Sequence, residues 1–121
     1  MDKPVLKMPE FEEPAKPGDL GDILMMIRQH YWTKWREASG SDEIANPLLM
    51  VEMWGRALKG LSRRAIESAL DEWIKTEAWP PQASDLRKLA LRQGAVIYDP
   101  KLAAYLKEQY ERAVALQAGD E

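Results

Sequence analysis

The chain of 121 residues contains no cysteine. Disulfides, zinc–thiolate centres and thiol nucleophiles are thereby excluded, and the absence is compatible with a cytoplasmic address. A single histidine, His30, removes most metal sites built on imidazole. No glycine-rich phosphate loop is present: the glycines fall at expected helix ends, apart from Gly21 and Gly55. No apolar run approaches the roughly 20 residues that a membrane span needs. No apolar run follows the first lysines, so no secretory signal is expected. No segment alternates with period two, so no sheet is expected, and there is no internal repeat. The usual constellations of catalysis are missing too. Asp71 and Glu72 are adjacent in a predicted helix and point in different directions. Ser62 and Ser84 sit where helix caps sit, and a serine nucleophile needs a base within hydrogen-bond reach. His30 lies on another helix, at the edge of an apolar stripe, where a half-buried structural role is expected. The expectation is a protein that is not an enzyme and holds neither cofactor nor metal.

What is present is charge, proline and tryptophan. The net charge of −3 argues against a dedicated nucleic-acid binder, because phosphate contacts need a concentrated positive face. Residues 47–94 carry eight positive and six negative charges, while the segments 1–22 and 95–121 are acidic. Half of the eight prolines (Pro4, Pro9, Pro14 and Pro17) stand in residues 1–18, with Glu10, Glu12 and Glu13 around Phe11. Proline fixes φ and lacks an amide donor, so a disordered or extended leader is expected there.

Five helices are expected after it. The first begins after Asp19 as N-cap and ends near Ala38, with Leu20, Ile23, Leu24, Ile27, Tyr31 and Trp35 as its stripe. The second opens at Asn46–Pro47, a strong cap followed by a proline at the first helical position, and stops at Gly60. Val51, Trp54, Leu58 and Leu61 form its buried edge, which Leu49 and Met53 widen. Ser62 caps the third, whose stripe is Ile66, Ala69, Leu70, Trp73 and Ile74; Asp71 and Lys75 are spaced to pair. That helix must end by Trp79, because Pro80 and Pro81 disfavour helical backbone before them. The fourth starts near Gln82–Ser84 and stops at Gly94; the fifth follows Asp99–Pro100 and runs to about Ala118. The predicted fold class is an all-α bundle of four helices with an appended C-terminal helix. The predicted organisation is a leader (1–18), a helical bundle (19–94) and a C-terminal helix (95–121).

Five tryptophans is a high count for so short a chain. Trp35, Trp54 and Trp73 fall on stripes and are expected in the core, and Trp79 is expected to staple its loop onto the helices. Trp32 lies off the main stripe with Met25, seven residues before it. Exposed Trp and Met are enriched at protein contacts, so these two are candidates for an interface, against a second layer of core. Arg63, Arg64, Arg87, Lys88 and Arg92 would make a basic patch for nucleic acid or an acidic partner if their helix ends converge, against ordinary surface solvation. The last helix is apolar on one side and charged on the other, which suits packing on the bundle or docking into a groove on a partner.

From Val51 to Leu91 the sequence resembles the phage helicase loader and inhibitor family, small helical replication proteins. The shared elements are a helix with Trp54 and Leu58, a helix with Ile66, Ala69 and Leu70, and an aromatic-Pro-Pro step before a further helix. That step is Trp79, Pro80 and Pro81, followed by Ala83, Asp85, Leu86 and Arg87. The resemblance implies a non-enzymatic adaptor that binds a hexameric replicative helicase in the host cytoplasm. It also implies a contact made by the tail, through Tyr105, Leu106, Tyr110 and Val114. Residues 99–121 look helical here, whereas the family's tail is flexible until it meets helicase. The competing readings are a DNA-binding replication or regulatory module that uses the basic residues, and a phage inhibitor of another host protein.

Overall fold

The computed structural model describes residues 12–39 and 46–119. Among them lie six α-helices and no strand. These are α1 (Pro17–His30), α2 (Trp32–Ser39), α3 (Pro47–Ala57), α4 (Arg63–Thr76), α5 (Ala83–Arg92) and α6 (Pro100–Gly119). Contacts divide the chain into two units: Glu13–Ile97, which holds α1 to α5, and one containing Tyr98–Glu121, which holds α6. The expected leader lies outside the described residues as far as Phe11, as does most of the Ser-Gly-Ser-Asp-Glu loop.

The first predicted helix is two helices, and it starts earlier than expected. Pro17 occupies the first helical position, where its missing N–H costs nothing. Asp19 is therefore not the N-cap; from the third helical position its Oδ2 accepts the backbone N–H of Lys16 at 2.9 Å. Pro17 and Gly18, read as leader, belong to α1. Just before them the Ala15 N–H donates to the Leu61 carbonyl at 2.9 Å.

The interruption falls at Tyr31, with φ −103° and ψ 34°. Neither proline nor glycine stands between residues 22 and 39 to announce it. Tyr31 is only 6% exposed, and its hydroxyl donates to the Glu77 carbonyl at 2.9 Å. A buried phenol whose polar tip is satisfied by a distant segment holds its residue from outside the helix, and the helix is interrupted at that anchor.

Leu20, Ile23, Ile27, Tyr31 and Trp35 supply one wall of the core of this unit. Leu58 and Leu61 beyond α3, Ile66, Ala69 and Leu70 of α4, and Leu86 and Ala90 of α5 supply the rest. Each fully buried Leu or Ile contributes about 1.5–3 kcal/mol relative to exposure. Trp35 is buried as expected, whereas Trp54 and Trp73 are half-buried and pack at the margin. Gly55 lies where α1 comes close: a Cβ there would stand 3.3 Å from Leu20 Cδ1. Leu49 and Met53 do not widen a buried edge. With Leu48 they face outward, because α3 meets α1 and α5 through its opposite side.

The predicted stops and starts are local chemistry at work. Asn46, in the left-handed region at φ 50°, accepts the Leu49 N–H on Oδ1 at 3.2 Å. Ser62 Oγ accepts the Ala65 N–H at 3.1 Å, and Asp99 Oδ1 the Lys101 N–H at 2.9 Å. The Gln82 N–H donates to Asp85 Oδ2 at 2.8 Å. Beyond α5, Gly94 (φ 91°) allows its own N–H to reach Leu91 O at 3.1 Å and the Ala95 N–H to reach Ala90 O at 3.0 Å. This pair of bonds is a Schellman stop. Lys75, expected to pair with Asp71, instead lies 3.9 Å from Glu72.

At the Trp-Pro-Pro corner, Trp73 Nε1 donates to the Trp79 carbonyl at 2.7 Å and Pro81 is buried. The Trp79 ring, expected to pack the loop down, is 53% exposed. Trp79 fastens the corner with its backbone and presents its indole to solvent.

Candidate functional site

The four tail residues do not share one face of α6. Tyr105 and Val114 are nine residues apart, which at about 100° per residue sets them on opposite sides of a straight helix. Leu106, Tyr110 and Val114 form one ridge at four-residue steps; Leu106 and Tyr110 are half-buried and Val114 is exposed. Tyr105, 57% exposed, belongs with Leu102 and Leu116 on a second, exposed strip. Glu108 Oε1 accepts from Arg112 Nη2 at 2.9 Å, the pair expected on the charged side.

The five basic residues have different fates. The Arg63 guanidinium gathers three carboxylates: Asp19 Oδ1 at 3.1 Å, Asp22 Oδ2 at 2.8 Å and Glu67 Oε1 at 2.8 Å. Those bonds hold its pKa above the ordinary arginine value. They also tie the start of α4 to the start of α1. The Asp19 carboxyl is held below its usual range, first by the Lys16 backbone N–H and then by Arg63. Arg87 Nη1 donates to the Ala57 and Lys59 carbonyls at 3.3 and 3.5 Å, where it closes the end of α3. Arg63 and Arg87 therefore spend their donors inside the fold. Arg64, Lys88 and Arg92 are exposed.

Met25 on α1 and Trp32 at the start of α2 are both exposed. The Arg28 guanidinium carbon lies 5.6 Å from the centre of the Trp32 ring. Beside this ring opens a groove of about 310 Å³ in which His30, Tyr31, Trp32 and Lys34 meet Glu77 and Ala78. His30 is exposed rather than half-buried, and its ring stands edge-on to Tyr31 at 4.7 Å. The Lys34 ammonium lies 4.7 Å from the centre of the exposed Trp79 ring. Burial pushes the Tyr31 hydroxyl pKa up, with the Glu77 charge adding to it.

Sequence reasoning expected Trp79 to pack its loop down and His30 to be half-buried, whereas both are exposed, and it did not single out Lys34. The signal for Lys34 and His30 was the interleaving of cations and aromatics from Arg28 to Arg36. It also missed the outward Leu48, Leu49 and Met53 on α3, because apolar periodicity does not tell whether a neighbour is present. Among the described residues, no cluster of three or more His, Asp or Glu residues is arranged to hold a metal ion. No described helix is long and apolar enough to cross a membrane.

Comparison with known proteins gives no relative. No family model, no curated protein and no solved structure matches the chain.

Proposed function

We propose that the protein is a non-enzymatic adaptor of phage DNA replication that binds, and loads or restrains, a hexameric replicative helicase in the host cytoplasm. The observation that carries this reading is the exposed apolar strip on the 20-residue α6, where Leu102, Tyr105 and Leu116 face solvent beside charged residues. Soluble domains rarely leave such a strip bare unless a partner covers it. The reading takes the resemblance across residues 51–91 as its guide to the partner. The unit Glu13–Ile97, with α1 to α5, is then the scaffold and α6 the arm that makes the contact. The arm occupies a surface of one helicase subunit, and the binding energy holds the ring inactive until DNA or a second protein displaces it. Further support for docking over chemistry comes from Asp19, Asp22 and Glu67, which converge on the Arg63 guanidinium rather than on an open site.

The DNA-binding alternative built on Arg63, Arg64, Arg87, Lys88 and Arg92 is weakened, since Arg63 and Arg87 hold their own helices together. An inhibitor of another host protein would use the same α6 strip and is separated from the adaptor only by its target.

The test is co-elution of the full chain with the purified host replicative helicase on a sizing column. The expected result is a complex that survives moderate salt and is lost when Tyr105 and Leu116 are both replaced by alanine. Separate elution of chain and helicase at micromolar concentrations overturns the proposal.

A further inference from the structure

From Arg28 to Arg36 the sequence reads RQHYWTKWR, with three cations, one histidine and three aromatics in nine residues. At the interruption this segment meets the end of α4, where Tyr31 is bonded to the Glu77 carbonyl. An open groove lies here, lined in part by Trp32, Lys34 and Glu77; Trp32 is 46% exposed, and the exposed Trp79 ring, outside that lining, is joined to it through the Lys34 ammonium 4.7 Å from the ring centre. Each indole thus has a cation beside it, Arg28 for Trp32 and Lys34 for Trp79.

We propose that this groove binds a short single strand of nucleic acid, with bases stacking on Trp32 and Trp79 and phosphates meeting Arg28 and Lys34. Exposed indole faces paired with cations are what an unpaired strand recognises, because every base offers a flat face and every linkage a negative charge. A duplex hides its base faces and cannot stack. An acidic peptide would match the cations but leave the rings unused, and an apolar peptide anchor calls for an enclosed pocket rather than an open trough. Of the groups lining the groove, Lys34 is cationic and Glu77 anionic; Arg28 lies against the Trp32 ring at 5.6 Å. Lys34 shares its charge with Glu37 at 3.5 Å, but both ends of that pair are exposed, so a phosphate can compete for it. The net charge of −3 opposes binding at long range, so the affinity should be modest and sensitive to salt. This site lies wholly within the unit Glu13–Ile97 and shares no residue with the α6 strip, so either assignment can fail without the other.

The experiment is fluorescence anisotropy of labelled oligothymidylate and oligouridylate, each of about ten nucleotides, titrated with the full chain at low salt. Saturable binding is expected, with a log–log salt slope of about −1.4 for two phosphates on a single strand. Trp32→Ala and Trp79→Ala should each weaken it roughly tenfold. Trp32→Phe and Trp79→Phe should restore most of that loss, which separates stacking from any folding defect. Lys34→Glu should weaken binding further, while Tyr105→Ala should leave it unchanged. A preference for either strand type names the sugar and supports the site. Absence of binding at low salt, equal affinity for the duplex, equal competition by polyglutamate, or indifference to both tryptophan substitutions overturns it.

Discussion

Replacing Tyr31 by phenylalanine removes one oxygen and keeps the ring that fills the core. The hydroxyl lost donates to the Glu77 carbonyl at 2.9 Å, and a neutral hydrogen bond of this kind contributes a net 0.5–1.5 kcal/mol. Glu77 is exposed, so water can reach its carbonyl once the phenol is gone. The expected cost is therefore about 1 kcal/mol at neutral pH, or roughly 4–8 °C in melting temperature for a domain of this size. The same substitution carries a pH signature. Burial raises the folded-state pKa of Tyr31 above its ordinary 10.0, so the folded protein holds this proton more tightly than the unfolded chain. Its contribution is complete below 10.0 and is lost as pH rises through the higher folded value. Urea denaturation of both proteins at a series of pH values gives the difference directly, since the two differ in this hydroxyl alone. The advantage of the natural protein should stay level up to that point and shrink above it. A difference that is absent at neutral pH, or flat across the alkaline range, refutes the role given to this hydroxyl.

Two further outcomes test the core and the α1–α4 tie. Leu86 is fully buried within the core cluster, so Leu86→Ala should cost about 2–5 kcal/mol, more than the loss of the Tyr31 hydroxyl; urea unfolding followed by circular dichroism measures it. The Asp19 carboxyl is held below its ordinary 3.8 by the Lys16 N–H and Arg63, so its contribution is present above 3.8 and is lost as pH falls through the lower folded value. Asp19→Asn should flatten that acid limb of the melting-temperature profile, and parallel acid limbs would show that the carboxylate does no such work.

The parts of this fold that could be read in advance are those decided by neighbours in sequence. Pro47, Ser62 and Asp99 start helices and Gly94 stops one, because each suits or supplies a bond within a few residues; α3 ends at Ala57, before the expected stop at Gly60, whose left-handed φ of 85° falls in the turn beyond. The inward stripe of Ile66, Ala69 and Leu70 follows from the period of the helix alone. What escaped is set by partners far along the chain. Nothing near Tyr31 signals a break, since its hydroxyl answers to residue 77. Arg63 looks like a surface cation until α1 brings Asp19 and Asp22 to it, and Arg87 does so until residues 57 and 59 turn their carbonyls toward it. Trp79 was placed correctly at a corner, but the pattern cannot say whether the ring or the carbonyl fastens it. On α6, spacing marked apolar residues without dividing them into the half-buried ridge and the exposed strip.

The long-range polar bonds share a design that bears on recognition. Tyr31 reaches the carbonyl just past α4, Arg87 those at the end of α3, and Trp73 that of Trp79 at the corner, while the Ala15 N–H takes the carbonyl of Leu61. Each closes backbone acceptors that a helix or turn would otherwise leave open, and does so with a donor from another segment. Polar side chains are thereby committed to holding short helices at fixed angles, in a chain too small to rely on a large core alone. Donors used this way are not offered to a partner. The large apolar and aromatic groups the fold leaves uncovered include the indoles of Trp32 and Trp79, the outward residues of α3 and the strip on α6. The two proposed binding surfaces draw on these uncovered groups and on cations at their margins, not on the donors committed to the fold.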